Sequence, residues 1–455
     1  MMGTHPRKVF LVTLSFAFFA AGQTASEKLI PRTSLDGKFL DLDFPAVHIG
    51  TAEYEEGPTG ATVFYFPNRV TAAVDVRGGG PATVFTDILR LGSEKPIVSA
   101  ISFAGGSAYG LAAAGGVAAE IRDTKTGTPE WNNIAVVPGA IIYDLAPRRF
   151  NKVTPDEALG RAALRAARPG RFLLGAHGAG RFAVQGSYFG TPTYSGQGGA
   201  FHQAGLAKVA VFTVVNARGA IVDRSGKVLR CGNDPSAAPC GFIADRLRSV
   251  IDRQIASAAP KSDELTRNTT ITLVVINCKL TFAELQRLAV QVHTSMARAI
   301  QPFHTDADGD TLFAVSTNEV NDPRMSAVNL GVLASEVAWD AVLSSLPVLD
   351  PVDKGTLPDD ASFFAACAGR YAFAEGVTLT VIHEQDRIWA EADGNSPLYG
   401  FRLKQKEELV LNTSGDLIVK SQPANRLRFI KNSSGHVTGL ILNPGHWPVS
   451  ANRLP

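Results

Sequence analysis

The sequence predicts an α/β protein followed by a small all-β domain. From about residue 27 to 345, apolar β-branched runs alternate with stretches of helical periodicity, which is the pattern of a layered α/β fold. Residues 346–361 contain three prolines and several acids, which is typical of a linker. From residue 362 to 455 the strands become short, with turn pairs such as Asp393-Gly394 between them, so an antiparallel β-barrel or sandwich is expected.

The individual elements follow from the same periodicities. In the first domain, strands are expected at 61–66, 134–143, 209–215, 220–222 and 271–276. Helices are expected at 106–122, 155–167, 242–258, 281–300 and 329–344. In the second domain, strands are expected at 369–373, 377–382, 387–390, 408–411, 417–420, 426–430 and 437–442.

The N-terminus has the pattern of a secretory signal. Arg7 and Lys8 precede the apolar run 9–21, and small residues follow up to Ala25. This run is short for a membrane span, so we expect residues 1–25 to be a signal peptide and the protein to be periplasmic or secreted. A buried first helix and a membrane anchor are the alternatives.

Charge and cysteine content narrow the class further. The chain has 455 residues, with 44 Lys and Arg against 42 Asp and Glu, and no basic stripe that indicates nucleic-acid binding. Cys231 and Cys240 flank a turn-rich loop, and in an oxidising compartment they could form a disulfide or remain free. No Cys or His pair shows the spacing of metal ligands, so neither a metal nor another cofactor is expected.

The segment Asn268-Thr269-Thr270 stands directly before the buried strand expected at 271–276. Thr269 has two interpretations: an ordinary strand residue, or a nucleophile that is released when the chain cuts itself between Asn268 and Thr269. A threonine at a new N-terminus carries its own base, because its α-amine has a pKa of about 7.7–8.0.

Three further positions could carry chemistry, and each has a structural alternative. Gly106, at the start of a helix, could offer free backbone N–H groups to an oxyanion, or could only allow close packing. Asn216 ends a strand and could donate to an oxyanion or cap a turn. Asp306, Asp308 and Asp310 could serve catalysis, bind a metal or form a solvated turn.

His293 and His304 are possible bases, although a lone histidine is more often a hydrogen-bonded structural residue.

Six segments in a fixed order resemble one enzyme family. They are 54–63, 76–79, 104–110, 142–144, 268–271 and 291–315. With them the chain resembles the self-cleaving N-terminal-nucleophile aminopeptidases of the L-aminopeptidase/D-esterase and β-peptidyl aminopeptidase type, family S58. Within that family it is most similar to the endo-type 6-aminohexanoate-oligomer (nylon-oligomer) hydrolases. The resemblance implies an α-β-β-α sandwich, cleavage between Asn268 and Thr269, two fragments that stay together, and further association into homo-oligomers.

The resemblance also implies roles for individual residues. Thr269 matches the nucleophile and Asn216 the oxyanion-stabilising asparagine, while Tyr143 matches a tyrosine that lines the active site. Asp308 and Asp310 match the polar positions that help to activate the nucleophile and orient its amine. Backbone near Gly106 is expected to assist at the oxyanion.

One departure from the family pattern concerns a lysine. Nylon-oligomer hydrolases carry a catalytic lysine after a Gly-Ala-Gly, and here Ser187 falls at that position. The sequence thus predicts a self-processing amide hydrolase acting on peptides, β-peptides or amide oligomers. The alternatives are an inactive binding homologue, suggested by the missing lysine, and an acyltransferase on a related fold. Residues 362–455 resemble the lipocalin-like domain of some β-lactamase-type hydrolases.

Overall fold

The computed structural model describes residues 29–93, 96–125, 127–190, 192–234, 239–256, 268–349, 360–394, 398 and 400–455. The expected signal peptide and most of the expected linker lie outside the described residues. The strands before residue 345 are β1 Phe39–Asp41, β2 His48–Tyr54, β3 Thr59–Val76, β4 Thr83–Val84, β5 Ile97–Ala104, β6 Gly139–Ile141, β7 Arg171–Leu173, β8 Val184–Gln185, β9 Thr193–Tyr194, β10 Gln197–Ala204, β11 Ala207–Asn216, β12 Ala220–Ile221, β13 Thr269–Cys278, β14 Ile300–Gln301 and β15 Thr311–Val320. The helices in the same region are α1 Ala112–Thr124, α2 Glu157–Ala166, α3 Ile243–Ala256, α4 Phe282–Ser295 and α5 Ala327–Ser344.

The long strand β3 joins the two layers of the central sheet. Within the described residues, nine strands pair in the order β10-β11-β13-β15-β3-β5-β6-β4, with β2 also on β3. The first part of β3 pairs with β2. Its last part pairs with β15, from Thr71 opposite Ser316 to Val76 opposite Thr311. The two parts face each other across a core, because the Phe64 ring lies 5.0 Å from the Phe212 ring of β11.

Successive side chains of β11 point alternately to the core between the two sheet layers and to the helices outside them. Ala210, Phe212 and Val214 point into the core between the layers, whereas Val209 and Val211 pack in the cluster that includes α4 and α5. On the other side, α1 packs on β5 and α2 on β2. The layers are therefore helices, sheet, sheet and helices, and the α-β-β-α sandwich expected from the sequence is confirmed.

Helices α1 and α2 approach each other through glycines. A Cβ at Gly116 would lie 2.1 Å from the carbonyl oxygen of Glu157, and one at Gly160 would lie 2.0 Å from that of Ala113. Larger residues at these positions would separate the helices.

Several predicted elements differ from the observed ones; the helix expected at 281–300, for example, ends at Ser295 and is followed by a 3-10 turn and by β14. The expected strand 134–143 is reduced to Gly139–Ile141, since only this part pairs with β5. The expected helix 106–122 begins later, after a 3-10 turn at Ser107–Leu111, because Gly106 and Ser107 have positive φ angles of 79° and 55°.

A closed barrel follows helix α6, Ala361–Cys367. Its eight strands in the described chain are β16 Gly369–Ala374, β17 Val377–Glu384, β18 Arg387–Gly394, β19 Lys406–Leu411, β20 Leu417–Val419, β21 Gln422–Lys431, β22 Val437–Leu442 and β23 Val449–Arg453. Consecutive strands pair, and β23 closes the barrel on β16. The sequence predicted the barrel but not β23, whose Val-Ser-Ala-Asn-Arg has a weak strand signal.

The barrel packs on the segment 176–194 of the sandwich domain. Trp447 stacks on Tyr194 with ring centroids 3.9 Å apart and planes 8° apart. Phe182 and Val184 belong to the same hydrophobic cluster as the barrel interior, and Arg181 donates a hydrogen bond to the carbonyl of His446. The barrel and this segment therefore share one core.

Cys231 and Cys240 form a disulfide, with Cα atoms 5.7 Å apart. The sequence had left this pairing open. In the described residues one helix, α5, is long and apolar enough to cross a membrane by length and composition alone, but it lies in the core against β10 and β11.

Candidate active site

The ends of three neighbouring strands meet at Thr269. Thr269 begins β13 and pairs with Asn216, which ends β11. The parallel neighbour β15 begins at Thr311, directly after Asp310. Asn268 and Thr269 are only 2% and 4% exposed. The residues that the sequence singled out around Thr269 are thus assembled at one buried edge of the sheet.

The peptide carbonyl of Asn268 receives two hydrogen bonds. The Oγ1 of Thr269 donates to the carbonyl oxygen at 2.5 Å, and the backbone N–H of Gly309 donates to it at 2.9 Å. A hydroxyl therefore lies beside the carbonyl of its own preceding residue, and an N–H donor is already placed where negative charge would develop on attack.

Asp308 and Asp310 are buried and engaged, while Asp306 is exposed. Asp310 accepts the N–H of Thr270 at 2.8 Å, which fixes the backbone just after Thr269. Asp308 accepts the hydroxyl of Thr305 at 2.5 Å and the N–H of Arg218 at 3.2 Å. Within the described ranges no group of three or more His, Cys, Asp and Glu side chains is placed to hold a metal ion.

Burial, together with the nearby negative charge of Asp310, raises the pKa of Asp308 to about 6. Asp308 therefore takes up a proton more readily in the folded chain than in the unfolded one.

We expect the stability of an uncut Thr269→Ala chain to depend on Asp308 between pH 4 and 6. The raised pKa means that this carboxyl stabilises the folded state most below its ordinary pKa, and that this contribution is lost as the pH rises to about 6. The loss amounts to at most about 3 kcal/mol. Urea unfolding across this range should show the fall, and Asp308→Asn in the same background should lack it. Equal pH dependence in both chains would contradict the assignment.

A glycine loop packs on the acidic segment. The N–H of Gly80 donates to the carbonyl of Asp308 at 2.8 Å, and a Cβ at Gly78 would lie 2.2 Å from the nitrogen of Asp310. The glycines at 78–80 therefore allow two backbones to approach closely beside Thr269.

Gly309→Ala is expected to slow any cleavage at Asn268 by about 100-fold, because a small displacement of reacting groups has effects of this size. The new Cβ would lie 2.7 Å from Oγ1 of Thr269 and 2.7 Å from the carbonyl oxygen of Gly80. A time course on a denaturing gel measures the rate. Gly115→Ala, with no atom within 4 Å of the added Cβ, is the control and should cleave normally. Equal rates for both variants would exclude a role for this contact.

Asn216 is fully buried and held by three contacts. Its Oδ1 accepts Arg148 Nη1 at 2.6 Å and the N–H of Val184 at 3.2 Å, and its Nδ2 donates to the carbonyl of Tyr143 at 3.2 Å. Tyr143 is thereby brought to the site through its backbone, and its hydroxyl donates to Ala146. One amide hydrogen of Asn216 is engaged, which leaves the second for another acceptor.

The cradle of free N–H groups expected at Gly106 is contradicted by the described structure. Gly105 donates to the carbonyl of Gly60, and Ser107 donates to that of Ile142. The N–H of Gly106 donates to Asp144 at 2.8 Å. The loop is thus closed by the Asp144 carboxylate, and Gly106 serves close packing, since its Cβ would lie 2.6 Å from Pro155.

Ser187 contacts the residue before the candidate nucleophile. Its Oγ donates to Oδ1 of Asn268 at 3.2 Å. Ser187, at which the resemblance places a lysine of the relatives, therefore lies beside the side chain of Asn268.

Two histidines form a network behind Asp310. Nδ1 of His304 lies 3.0 Å from Asp310, and the His304 ring lies 4.3 Å from the ring of His293. His293 in turn contacts Asp75 at 2.9 Å. Burial lowers the pKa of His293. Both histidines support the acidic segment, as the structural interpretation expected.

A surface cleft of about 790 Å³ is lined by residues of α1, of α2 and of the chain between these helices. It contains none of the predicted site residues, and Thr269 is closed off in the uncut chain.

The sandwich fold and the match to a peptidase family make the class of protein an amide hydrolase. The chain belongs to peptidase family S58, whose model matches residues 42–349. The predicted family is confirmed.

The chain is similar to 6-aminohexanoate-oligomer endohydrolases. It is 42% identical over 330 residues to that of Paenarthrobacter ureafaciens, covering 70% of this chain and 88% of the relative. It is 40% identical over 340 residues to that of Kocuria sp. (strain KY2), covering 72% and 91%. An uncharacterized aminopeptidase of Mycobacterium tuberculosis (strain ATCC 25618 / H37Rv) is 36% identical over 275 residues, covering 59% and 76%.

Sequence reasoning missed Gly309 and Arg148. The sequence offered one indication for Gly309, its position between two acids that are both buried in the structure. The sequence offered no indication for Arg148, because arginine is usually exposed and its partner Asn216 is distant in the chain.

Proposed function

We propose that this protein is a self-processing amide hydrolase with Thr269 as its nucleophile. The observation that carries the proposal is the buried Asn268 carbonyl, which lies 2.5 Å from the Thr269 hydroxyl and accepts the Gly309 N–H. The proposal also rests on membership of a peptidase family.

Self-cleavage proceeds by an N-to-O acyl shift. The oxygen of Thr269 forms a bond to the carbonyl carbon of Asn268, the C–N bond breaks, and the hydroxyl proton ends on the released α-amine. Water then adds to the ester, which gives the Asn268 carboxylate and a free Thr269 hydroxyl. The Gly309 N–H and the second amide hydrogen of Asn216 stabilise the oxyanion, and one such donor contributes about 3–4 kcal/mol in other enzymes.

The mature enzyme repeats the same chemistry on a substrate. The hydroxyl of Thr269 attacks a substrate amide, its α-amine takes the proton, and the C–N bond breaks as this proton goes to the leaving amine. Water then hydrolyses the ester to Thr269, which releases the acid and restores the hydroxyl. Asp310 holds the N–H of Thr270 and so fixes the new N-terminus. Asp308 adds a carboxylate whose pKa of about 6 makes it anionic at neutral pH.

The substrate class in this proposal comes from the relatives. Those at 40–42% identity are 6-aminohexanoate-oligomer endohydrolases, and one at 36% is an aminopeptidase by name. We therefore propose peptides, β-peptides or amide oligomers as substrates. Ser187 in place of a lysine makes the amide oligomers the most informative of the three to test.

The test uses the purified full chain. Denaturing electrophoresis, intact mass and N-terminal sequencing should give two fragments, the second beginning with Thr269. The cut protein should then release amine from α-aminoacyl anilides, β-aminoacyl anilides or 6-aminohexanoate oligomers. A chain that stays whole on prolonged incubation would refute self-processing. A cut chain without hydrolysis would favour the binding homologue, and acyl transfer to an added amine in preference to water would favour the acyltransferase.

We also propose that the protein is periplasmic or secreted. The Cys231–Cys240 disulfide and the pattern of residues 1–25 support this. Fractionation of the producing cells, with fragment masses that lack the first residues, tests it.

A further inference from the structure

The uncut chain carries its own first substrate, and this inference rests on the proposed function. Thr269 attacks Asn268 during self-cleavage and a substrate carbonyl afterwards. Both carbonyls must meet the same Oγ1 and the same Gly309 N–H, so they occupy the same place. The side chain of Asn268 therefore lies where the acyl group of a substrate will lie.

The surroundings of Asn268 define this acyl-side subsite. The residue is 2% exposed, and its Oδ1 accepts the hydroxyl of Ser187 at 3.2 Å. Its Nδ2 has no hydrogen-bond partner among the described residues. The side chain of Asn268 is thus held by a neutral hydroxyl that donates to its carboxamide oxygen.

Ser187 is held in a fixed position. Gly186 donates to the carbonyl of Gly219 at 2.8 Å, and Tyr188 donates to that of Arg218 at 2.9 Å. The backbone on both sides of Ser187 is therefore anchored to the loop that follows Asn216. An anchored donor distinguishes acyl groups that carry an acceptor from those that do not.

We propose that Ser187 determines acyl specificity, and that it selects acyl groups with an uncharged carbonyl oxygen three carbons beyond the attacked carbonyl. Asparaginyl groups meet this description. A leucyl group has a similar shape but no acceptor, so the half-buried Ser187 hydroxyl loses this hydrogen bond.

The test compares L-asparaginyl and L-leucyl p-nitroanilide on self-cleaved wild type, Ser187→Ala and Ser187→Thr. Wild type and Ser187→Thr should have the higher kcat/KM for the asparaginyl compound. In Ser187→Ala the ratio of the two kcat/KM values should fall about 5-fold, the effect of one hydrogen bond. An unchanged ratio would overturn the proposal, and so would failure of a fully cut enzyme to hydrolyse the asparaginyl compound. A wild-type chain that never cuts refutes the proposed function instead.

A second measurement needs no mature enzyme. Ser187→Ala should slow self-cleavage about 5-fold when residue 268 is asparagine and have no effect in an Asn268→Leu chain, because the acceptor is then absent. The same slowing in both backgrounds would show that Ser187 acts on folding alone and would overturn the proposal.

Discussion

A Thr269→Ala chain is expected to remain a single uncut polypeptide, while wild type separates into two fragments, one that ends at Asn268 and one that begins at Thr269. In the described structure, the Thr269 hydroxyl is the only group in contact with the Asn268 carbonyl that can form a covalent bond to its carbon, and the substitution removes this hydroxyl. Loss of a nucleophile lowers the rate by far more than 1,000-fold in well-studied hydrolases, so at least about a 1,000-fold loss is expected here. Intact mass spectrometry over several days measures both cleavage and its absence.

The neighbouring residue supplies the control. The hydroxyl of Thr270 is buried without a hydrogen-bond partner among the described residues, so Thr270→Val removes a hydroxyl of the same kind one position later. This variant should cleave at the wild-type rate, and Thr269→Ser should retain cleavage. Cutting of Thr269→Ala at the same bond would remove Thr269 from the mechanism.

Asp144→Ala should cause the largest loss of stability of any single change in the sandwich considered above. Asp144 accepts Thr59 Oγ1, the N–H of Gly106 and Arg149 Nη2, and the ion pair with Arg149 is almost completely buried. The substitution leaves the guanidinium charge without this partner, which costs about 3–5 kcal/mol in other proteins. Urea unfolding of the uncut Thr269→Ala chain with and without the change measures this.

An exposed aspartate serves as the comparison. Asp123 pairs with Arg122 and Arg161 at the surface, where solvent screens the charges. Asp123→Ala should therefore change the unfolding midpoint little. Similar midpoints for the two variants would show that the Asp144–Arg149 pair does not hold the loop at Gly106.

The sequence was most informative where short-range pattern and three-dimensional position coincide. The apolar run after Thr270 predicted a buried strand, and β13 is buried along its whole length. Asn216 and Thr269 both stood at strand ends, which placed them at an edge of the sheet, and the structure pairs them directly.

The sequence failed where a distant side chain decides the outcome. The loop at Gly106 shows its glycines, but not that a carboxylate 38 residues away occupies its N–H. The contact of Trp447 with Tyr194 has no local pattern either, because each aromatic residue alone is an ordinary core residue. The partners in such contacts are distant in the sequence and come together only in the folded chain.

The shared core of the barrel and segment 176–194 makes the C-terminal strands part of the surroundings of the candidate site. Trp447 stacks on Tyr194, and Phe182 and Val184 pack in the same cluster as the barrel interior. Ser187, in the same segment, donates to the side chain of Asn268. A chain without its last strands would therefore lose part of the core that supports the segment in contact with the residue before Thr269.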